Sequence, residues 1–290
     1  MPTVFEVNAF PSAPEVQAGY LAFLKSRDGA PDRAARTLAA REAWFRQIDA
    51  NPLPWQGPDM NESFHATMAS SEPKGQPPLA LWMAIAATAN EGEKYSVERI
   101  LDSRAPVADP EDPMSYVEIE EIYHTRLLLD AVRTLGVEYA IKRPPLWVRA
   151  LASFMIFAPK QLEFLAVFFS EVVGTVLFAA LAERARTLVD VRTPSGARLV
   201  SLIEEILIDE VGHVVFARSH LGPARLWVAK QAIRFLAASM YRATPGIAQL
   251  FDVAELAERA LNLDLNQLPA HIVARAYVPA VTAESRLASA

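Results

Sequence analysis

Three of the five histidines in this 290-residue chain have a glutamate three positions upstream: Glu62 and His65, Glu121 and His124, Glu210 and His213. Residues at i and i+3 share one helix face, so each pair can present a carboxylate and an imidazole in the same direction. Such a pair reads either as a metal-ligand fragment or as an ordinary core histidine satisfied by a neighbouring acid. Two of the three pairs are set in apolar, helix-like sequence, VEIEEIYHTRLLL and LIEEILIDEVGHVVFAR. An inward acid beside an inward imidazole needs a compensating partner, because burying a charge alone is very costly. The third pair lies in NESFHATMAS, where no apolar period is sustained, and reads as a surface coincidence. The spacing by itself is weak, since random placement of these residues gives roughly 0.4 such pairs.

Two further acids have the right setting. Glu171 stands in FLAVFFSEVVGTVLFAAL among Phe168, Val172, Gly174 and Thr175, where an ionised carboxylate calls for a cation. The competing reading is a buried acid paired with Arg or Lys. In PLALWMAIAATANEGEKYSVERILDSR the choice lies between Glu91 and Glu93. Glu93 continues the stripe of Leu79, Trp82, Ala86, Ala89, Val97 and Ile100, whereas Glu91 shares its face with smaller residues and Glu98, so Glu93 is the expected ligand. Depth agrees: Glu93 lies about 15 Å from the end of its helix near Ser103, and Glu121 about 12 Å from Pro113. In the other hairpin Glu171 and Glu210 lie about 26 and 20 Å from their turn, a looser match.

The elements that must carry these residues are helices. Pro78 to Arg104 is the first long one, with proline in the first turn. After a Pro and Asp loop, 105 to 113, Asp112 caps a second from Pro113 to about Leu135, stopped by Gly136. A longer connection holds Pro144, Pro145 and a short helix, Leu146 to Phe157. The third long helix runs from about Pro159 to Leu188, and VRTPSGAR turns into the fourth, about Ala197 to Leu221. Four long helices joined short, long, short make an all-α protein with a ferritin-like four-helix bundle core. No strand is expected. Residues 1–75 form an N-terminal extension with helical patches at Glu15 to Ser26 and Asp32 to Ile48, 76–222 the core, and 223–290 a C-terminal extension packing on it. That last part has helices at Arg225 to Arg242 and Val253 to Leu261, then a loose tail.

Composition narrows the class. At 52% hydrophobic residues the chain can bury a large core, and a net charge of −6 with scattered Lys and Arg offers no basic stripe for nucleic acid. With no cysteine, disulfides and thiolate sites are excluded. The start, MPTVFEVNAF, lacks the pattern of a signal peptide, so a cytoplasmic location is expected. The apolar run from Phe164 to Leu181 is long enough to pose the question of a membrane span; Glu171 near its middle favours a buried helix, and no span is expected.

The candidate ligands are thus Glu93, Glu121, His124, Glu171, Glu210 and His213, serving as metal and catalytic residues together. Oxygen and nitrogen donors without sulfur suit iron or manganese better than structural zinc, and two divalent ions supply the charge four buried carboxylates require. Asp209 and Glu120 each precede a ligand Glu; across the bundle Asp209 can hold His124 and Glu120 can hold His213. Tyr95 and Tyr123 flank the ligands, as packing residues or as hydrogen-bond donors or radical relays. Trp82 reads as core, and His220 and His271 as surface.

The order Glu93, Glu121-Ile-Tyr-His124, Glu171, Glu210-Val-Gly-His213 resembles the ferritin-like di-iron carboxylate superfamily. That group includes rubrerythrins, ribonucleotide reductase small subunits, multicomponent monooxygenases, aldehyde-deformylating oxygenases and arylamine N-oxygenases. NEGEKY is similar to the corresponding helix of the aldehyde-deformylating enzymes, whose second acid is the ligand. Arylamine N-oxygenases carry an extra His one turn before the last ligand Glu; here that position is Ile206. The resemblance spans roughly residues 76 to 220. It implies two iron ions, or an iron and manganese pair, with dioxygen as co-substrate. It also implies an oxygen-activating oxidase or oxygenase. The Phe, Leu, Ile and Val around Glu171, with Gly174 and Thr175 providing room, point to oxidation or hydroxylation of a small apolar organic substrate; an external electron donor and, as an option, a homodimer complete the expectation. The alternatives are a ferritin-like peroxidase or iron-handling protein without organic substrate, and a metal-free helical module that docks through its apolar helices.

Overall fold

In the computed structural model residues 2–7, 10–32, 35–103 and 109–280 are described. Among them the order is α1 (Ala13–Asp28), β1 (Pro31–Asp32), β2 (Thr37–Leu38), α2 (Ala39–Ala50), α3 (Asn61–Ala69), α4 (Pro78–Ser103) and α5 (Pro113–Thr134). There follow α6 (Leu146–Phe157), α7 (Lys160–Leu188), α8 (Pro194–Ser219), α9 (Pro223–Ala243), α10 (Ile247–Leu250), α11 (Val253–Leu261), a 3₁₀ turn (Leu265–Gln267) and α12 (Ala270–Val273). The protein is all-α apart from one short ladder.

Local chemistry sets the ends of the long helices. Asp112 accepts from the Met114 amide at 3.0 Å with Pro113 in the first turn, and Gly136, at φ +77°, follows the last turn of α5 in the left-handed region. Thr193 caps α8 through the Gly196 amide, 3.1 Å away, so α8 starts at Pro194 rather than at Ala197. The loop after α4 was expected at 105 to 113; residues 104–108 lie outside the described residues.

α4 packs on α5, α7 on α8, α5 on α8 and α4 on α7, which closes the four longest helices into a ring of neighbours. Their inner faces are continuous with the outer segments: one apolar cluster runs from Val4 to Ala276. α1 lies against α8 and α5, with the Tyr20 ring seated over Gly212, where a Cβ would come within 2.7 Å of Tyr20 Cε2. Only a glycine admits that approach. Segments from the first and last parts of the described chain pack on each other as well, Tyr277 donating to the Val16 carbonyl at 3.0 Å and Val4 N to the Leu263 carbonyl at 2.9 Å.

Four expectations need correction. The helical patch expected from Asp32 begins only at Ala39, because Pro31 and Asp32 pair with Leu38 and Thr37 around Arg36, which sits at φ +53°; the ladder also contradicts the absence of strands. The loose tail carries a 3₁₀ turn and α12, with Leu263, Leu265 and Ile272 buried. His220 is half-buried, not surface: it stacks on Phe164 at 3.8 Å and its Nδ1 reaches the Phe216 carbonyl at 3.0 Å. Burial pushes its pKa below the ordinary histidine value.

Among the described residues one helix, Leu162–Leu188 within α7, is long and apolar enough to cross a membrane, and 56% of its most apolar window is buried inside the fold. It is the only such segment among them, and no clear span emerges.

Candidate metal centre

The four central helices each send acids inward at one level. α4 supplies Glu93, α5 Glu121 and His124, α7 Glu171, and α8 Glu210 and His213. The expected residues fall into two overlapping groups: Glu93, Glu121 and His124, and Glu121, Glu171, Glu210 and His213. Within each group one ligand atom per residue lies within 4.8 Å of all the others. Glu121 belongs to both. The structure brings all six together, and of the two acids of α4 it places Glu93 in the cluster while Glu91 lies beside Lys142.

The histidines are the closed side of the cluster. His124 and His213 are fully enclosed, their rings 5.6 Å apart. His124 donates from Nε2 to Asp209 Oδ2 at 3.2 Å, and His213 from Nε2 to Glu120 Oε2 at 3.0 Å. Both cross-bundle bonds were expected from the sequence. With Nε2 held outward, each Nδ1 faces the carboxylates: His213 Nδ1 is 3.0 Å from Glu121 and 3.5 Å from Glu171, His124 Nδ1 3.5 Å from Glu121 and Glu210. Neither Nδ1 is aligned for a hydrogen bond. A buried nitrogen aimed among carboxylates without bonding to them fits a ligand pointing at a shared cation, and the oxygen and nitrogen donor set fits the same role.

Electrostatics point the same way. Burial, with the neighbouring acids, drives Glu93 and Glu210 well above the usual carboxylate range. Burial also opposes ionisation of Glu121, yet the two histidines hold it well below that range. For His124 burial pushes down, while Glu121 and Asp209 outweigh it and lift the pKa to about 10. Without cations the cluster therefore keeps protons on groups that ligation requires bare.

Behind the histidines sits a layer that sequence reasoning missed. Arg41 of α2 grips both oxygens of Asp209, at 2.6 and 2.7 Å, and Arg27 of α1 bonds the same carboxylate and approaches Glu120 at 3.8 Å. Two guanidiniums thus orient the acid that orients His124. Asp28, buried beside Glu120, is pushed up to about 9 by burial and that neighbour. Tyr20 places its buried, unpaired hydroxyl beside the same group. The only sequence signal was a basic last turn in α1, which usually means no more than a favourable helix end.

The other side is open. Glu93, Glu121, Glu171 and Glu210 border a cavity of about 200 Å³ walled by Val97, Met114, Val117 and Val167. A second of about 470 Å³ adjoins it, sharing Gly92, Glu93, Ser170 and Gly174. Gly174 gives room there, as expected; Thr175 does not, being fully buried. Tyr123 is tied to Glu42 and the Leu38 amide, both at 2.9 Å, Tyr95 lies by Arg149, and Trp82 is core, its Nε1 donating to the Leu181 carbonyl. Glu62 and His65 are exposed, a coincidence as read.

Fold and site together define an all-α protein with a buried carboxylate and histidine cluster able to hold metal. No family model, curated protein or solved structure matches the chain at a significant level.

Two tests follow. A Cβ at Gly174 would sit 3.0 Å from Glu210 Oε2, so Gly174→Ala should fold normally yet bind Fe(II) about tenfold or more weakly; unchanged affinity in a metal titration would contradict the site. Because His124 must lose its proton to ligate, Fe(II) or Mn(II) affinity should rise as pH rises from about 6 to 9 with net proton release. A flat affinity without proton release would count against imidazole ligation.

Proposed function

We propose that this chain is a non-haem di-iron oxidoreductase that uses dioxygen to oxidise or hydroxylate a small, apolar organic molecule, with its core of the ferritin-like kind. The observation that carries this reading is the pair of metal-capable groups sharing Glu121 on the wall of an apolar cavity. Structural sites are normally closed all round; this one is sealed only behind its histidines.

Glu93, Glu121, His124, Glu171, Glu210 and His213 would hold the metals. When bound, such a pair supplies reduction of dioxygen coupled to oxidation of an adjacent substrate. Asp209 and Glu120 fix the imidazole rings, and Arg27 and Arg41 keep Asp209 ionised and in place. Val97, Met114, Val117 and Val167 exclude water and select apolar ligands, while Ser96 and Ser170 are the uncharged polar groups in the same wall. Inserting one oxygen atom into a C–H bond and releasing the other as water consumes two electrons and two protons beyond those of the substrate. An external reductant therefore belongs to this reading.

Oxygen uptake by iron-loaded, chemically reduced protein tests it. A panel of medium-chain hydrocarbons, alcohols and aldehydes should contain at least one compound that raises uptake and yields an oxidised product. Val117→Trp, which fills the cavity, should suppress that stimulation while leaving metal content unchanged. Uptake indifferent to every organic compound, with turnover of hydrogen peroxide instead, would replace the oxygenase by an iron-handling or peroxide-consuming protein.

A further inference from the structure

Of the eight large apolar side chains left exposed among the described residues, six lie on three neighbouring elements: Leu146 and Phe154 on α6, Leu162 on the first turn of α7, and Trp227, Val228 and Phe235 on α9. Leu146 is 74% exposed, Phe235 73% and Trp227 65%, values a soluble surface rarely concentrates in one place. α6, α7 and α9 enclose a groove of about 540 Å³ between Phe154, Leu162, Phe169 and Leu236 whose walls are almost wholly apolar. The spacing within α9 puts Trp227, Val228 and Phe235 on one outward arc, with Arg242 inside that arc, Arg234 at one edge and Arg225 about 60° beyond the other.

The charged residues of α6 and α9 are all basic, while α7 carries Glu163 in its first turn, on the wall of the inner cavity. Residues 140–162 carry Lys142, Arg143, Arg149 and Lys160 and no acid, and residues 222–251 carry Arg225, Lys230, Arg234 and Arg242 and no acid. The chain as a whole is at −6, so the remainder is much more acidic than that total. Four of the eight are engaged elsewhere: Arg234 with Glu258 at 2.6 Å, Lys230 with Glu6 at 4.0 Å, Lys142 beside Glu91, and Arg149 over the Tyr95 ring. Lys142 and Arg143 line the adjoining cavity with Met240 and Ala243, and those last two residues also line the groove.

We propose that this face docks on an anionic lipid surface, α9 lying in the interface with Trp227, Val228 and Phe235 immersed and Arg225, Arg242 and Lys160 at headgroup level. A helix of exposed aromatics and basic residues without a single acid has the composition of an interfacial helix. The same charges argue against a second copy as occupant. A two-fold contact sets each patch against itself and brings like charges face to face. An anionic bilayer complements both features at once. The groove also meets both inner cavities at Ser170, which lines all three. A lipophilic substrate leaving the bilayer would so reach Glu93 and Glu171 without crossing bulk water. That consequence rests on the proposed oxygenase function; the docking does not.

The test is flotation of the full-length, metal-loaded protein with vesicles of phosphatidylcholine alone or of phosphatidylcholine and phosphatidylglycerol in two-to-one ratio. Binding should be confined to the anionic vesicles, or at least about tenfold stronger on them, and should weaken as salt is raised. The double variants Trp227→Ser with Phe235→Ser, and Arg225→Glu with Arg242→Glu, should each lose at least about tenfold in partitioning. Metal content, helicity and melting temperature should stay at wild-type values, because these side chains are on the surface. Absence of binding to anionic vesicles, or variants that float like the wild type, would overturn the proposal. So would a wild-type dimer that does not bind vesicles and that Trp227→Ser with Phe235→Ser converts to monomer, assigning the face to a second copy. Vesicle binding with no oxygen chemistry would leave the docking standing and remove only the oxygenase.

Discussion

Four carboxylates meeting in the centre of a helical core is the constraint on which the rest of the structure turns. Glu93, Glu121, Glu171 and Glu210 come from four different helices, and each is brought among the others. Like charges at this range in a poorly solvated interior repel by several kcal/mol or more unless protons or cations intervene. Two enclosed imidazoles cannot neutralise four acids. Protons raised onto Glu93, Glu210 and His124 are the metal-free answer, and a pair of divalent cations is the one that also employs the unbonded Nδ1 atoms.

That constraint explains the unequal building of the two sides. Behind the histidines the packing is closed and ionic: Asp209 and Glu120 fix the rings, and Arg27 and Arg41 reach in from α1 and α2 to hold Asp209. A buried ion pair of this kind costs desolvation, and removing one member would leave the other uncompensated. In front, the carboxylates border space walled by valine and methionine, widened where Gly92 and Gly174 lack side chains. Rigid support on one side and an apolar void on the other is the division of labour a reactive centre needs. The N-terminal segment, which as sequence has no visible link to the ligands, is part of the support.

Legibility followed the physics of each feature. Helix existence was readable because proline, capping residues and glycine act locally: Pro113 with Asp112 and Gly136 mark α5 to within a residue or two. The three missing residues at the start of α8 come from treating Thr193 as turn rather than cap. Ligand candidates were readable because an acid in an apolar stripe contradicts its surroundings, which singled out Glu171 and preferred Glu93 over Glu91. The cross-bundle pairing of Asp209 with His124 followed from where a ligand histidine must send its second nitrogen. Arg27, Arg41 and Tyr20 were not readable. Their partners at the site, Glu120, Asp209 and Gly212, lie between 93 and 192 residues away in the chain, and an arginine near a helix end looks like any solvated residue. The ladder before α2 escaped for a similar reason, since the Leu38 amide is answered by the Tyr123 hydroxyl, a contact no local pattern encodes.

The measurement that bears most directly on the central claim is the metal content of the purified chain. It would be made by elemental analysis after expression with iron supplied, beside Glu171→Ala prepared in parallel. About two metal ions per wild-type chain, chiefly iron, are expected, and one or none in the variant. Wild-type protein that is folded and yet holds no stoichiometric metal under those conditions would contradict it, and the buried acids would then have to be stable as a protonated cluster.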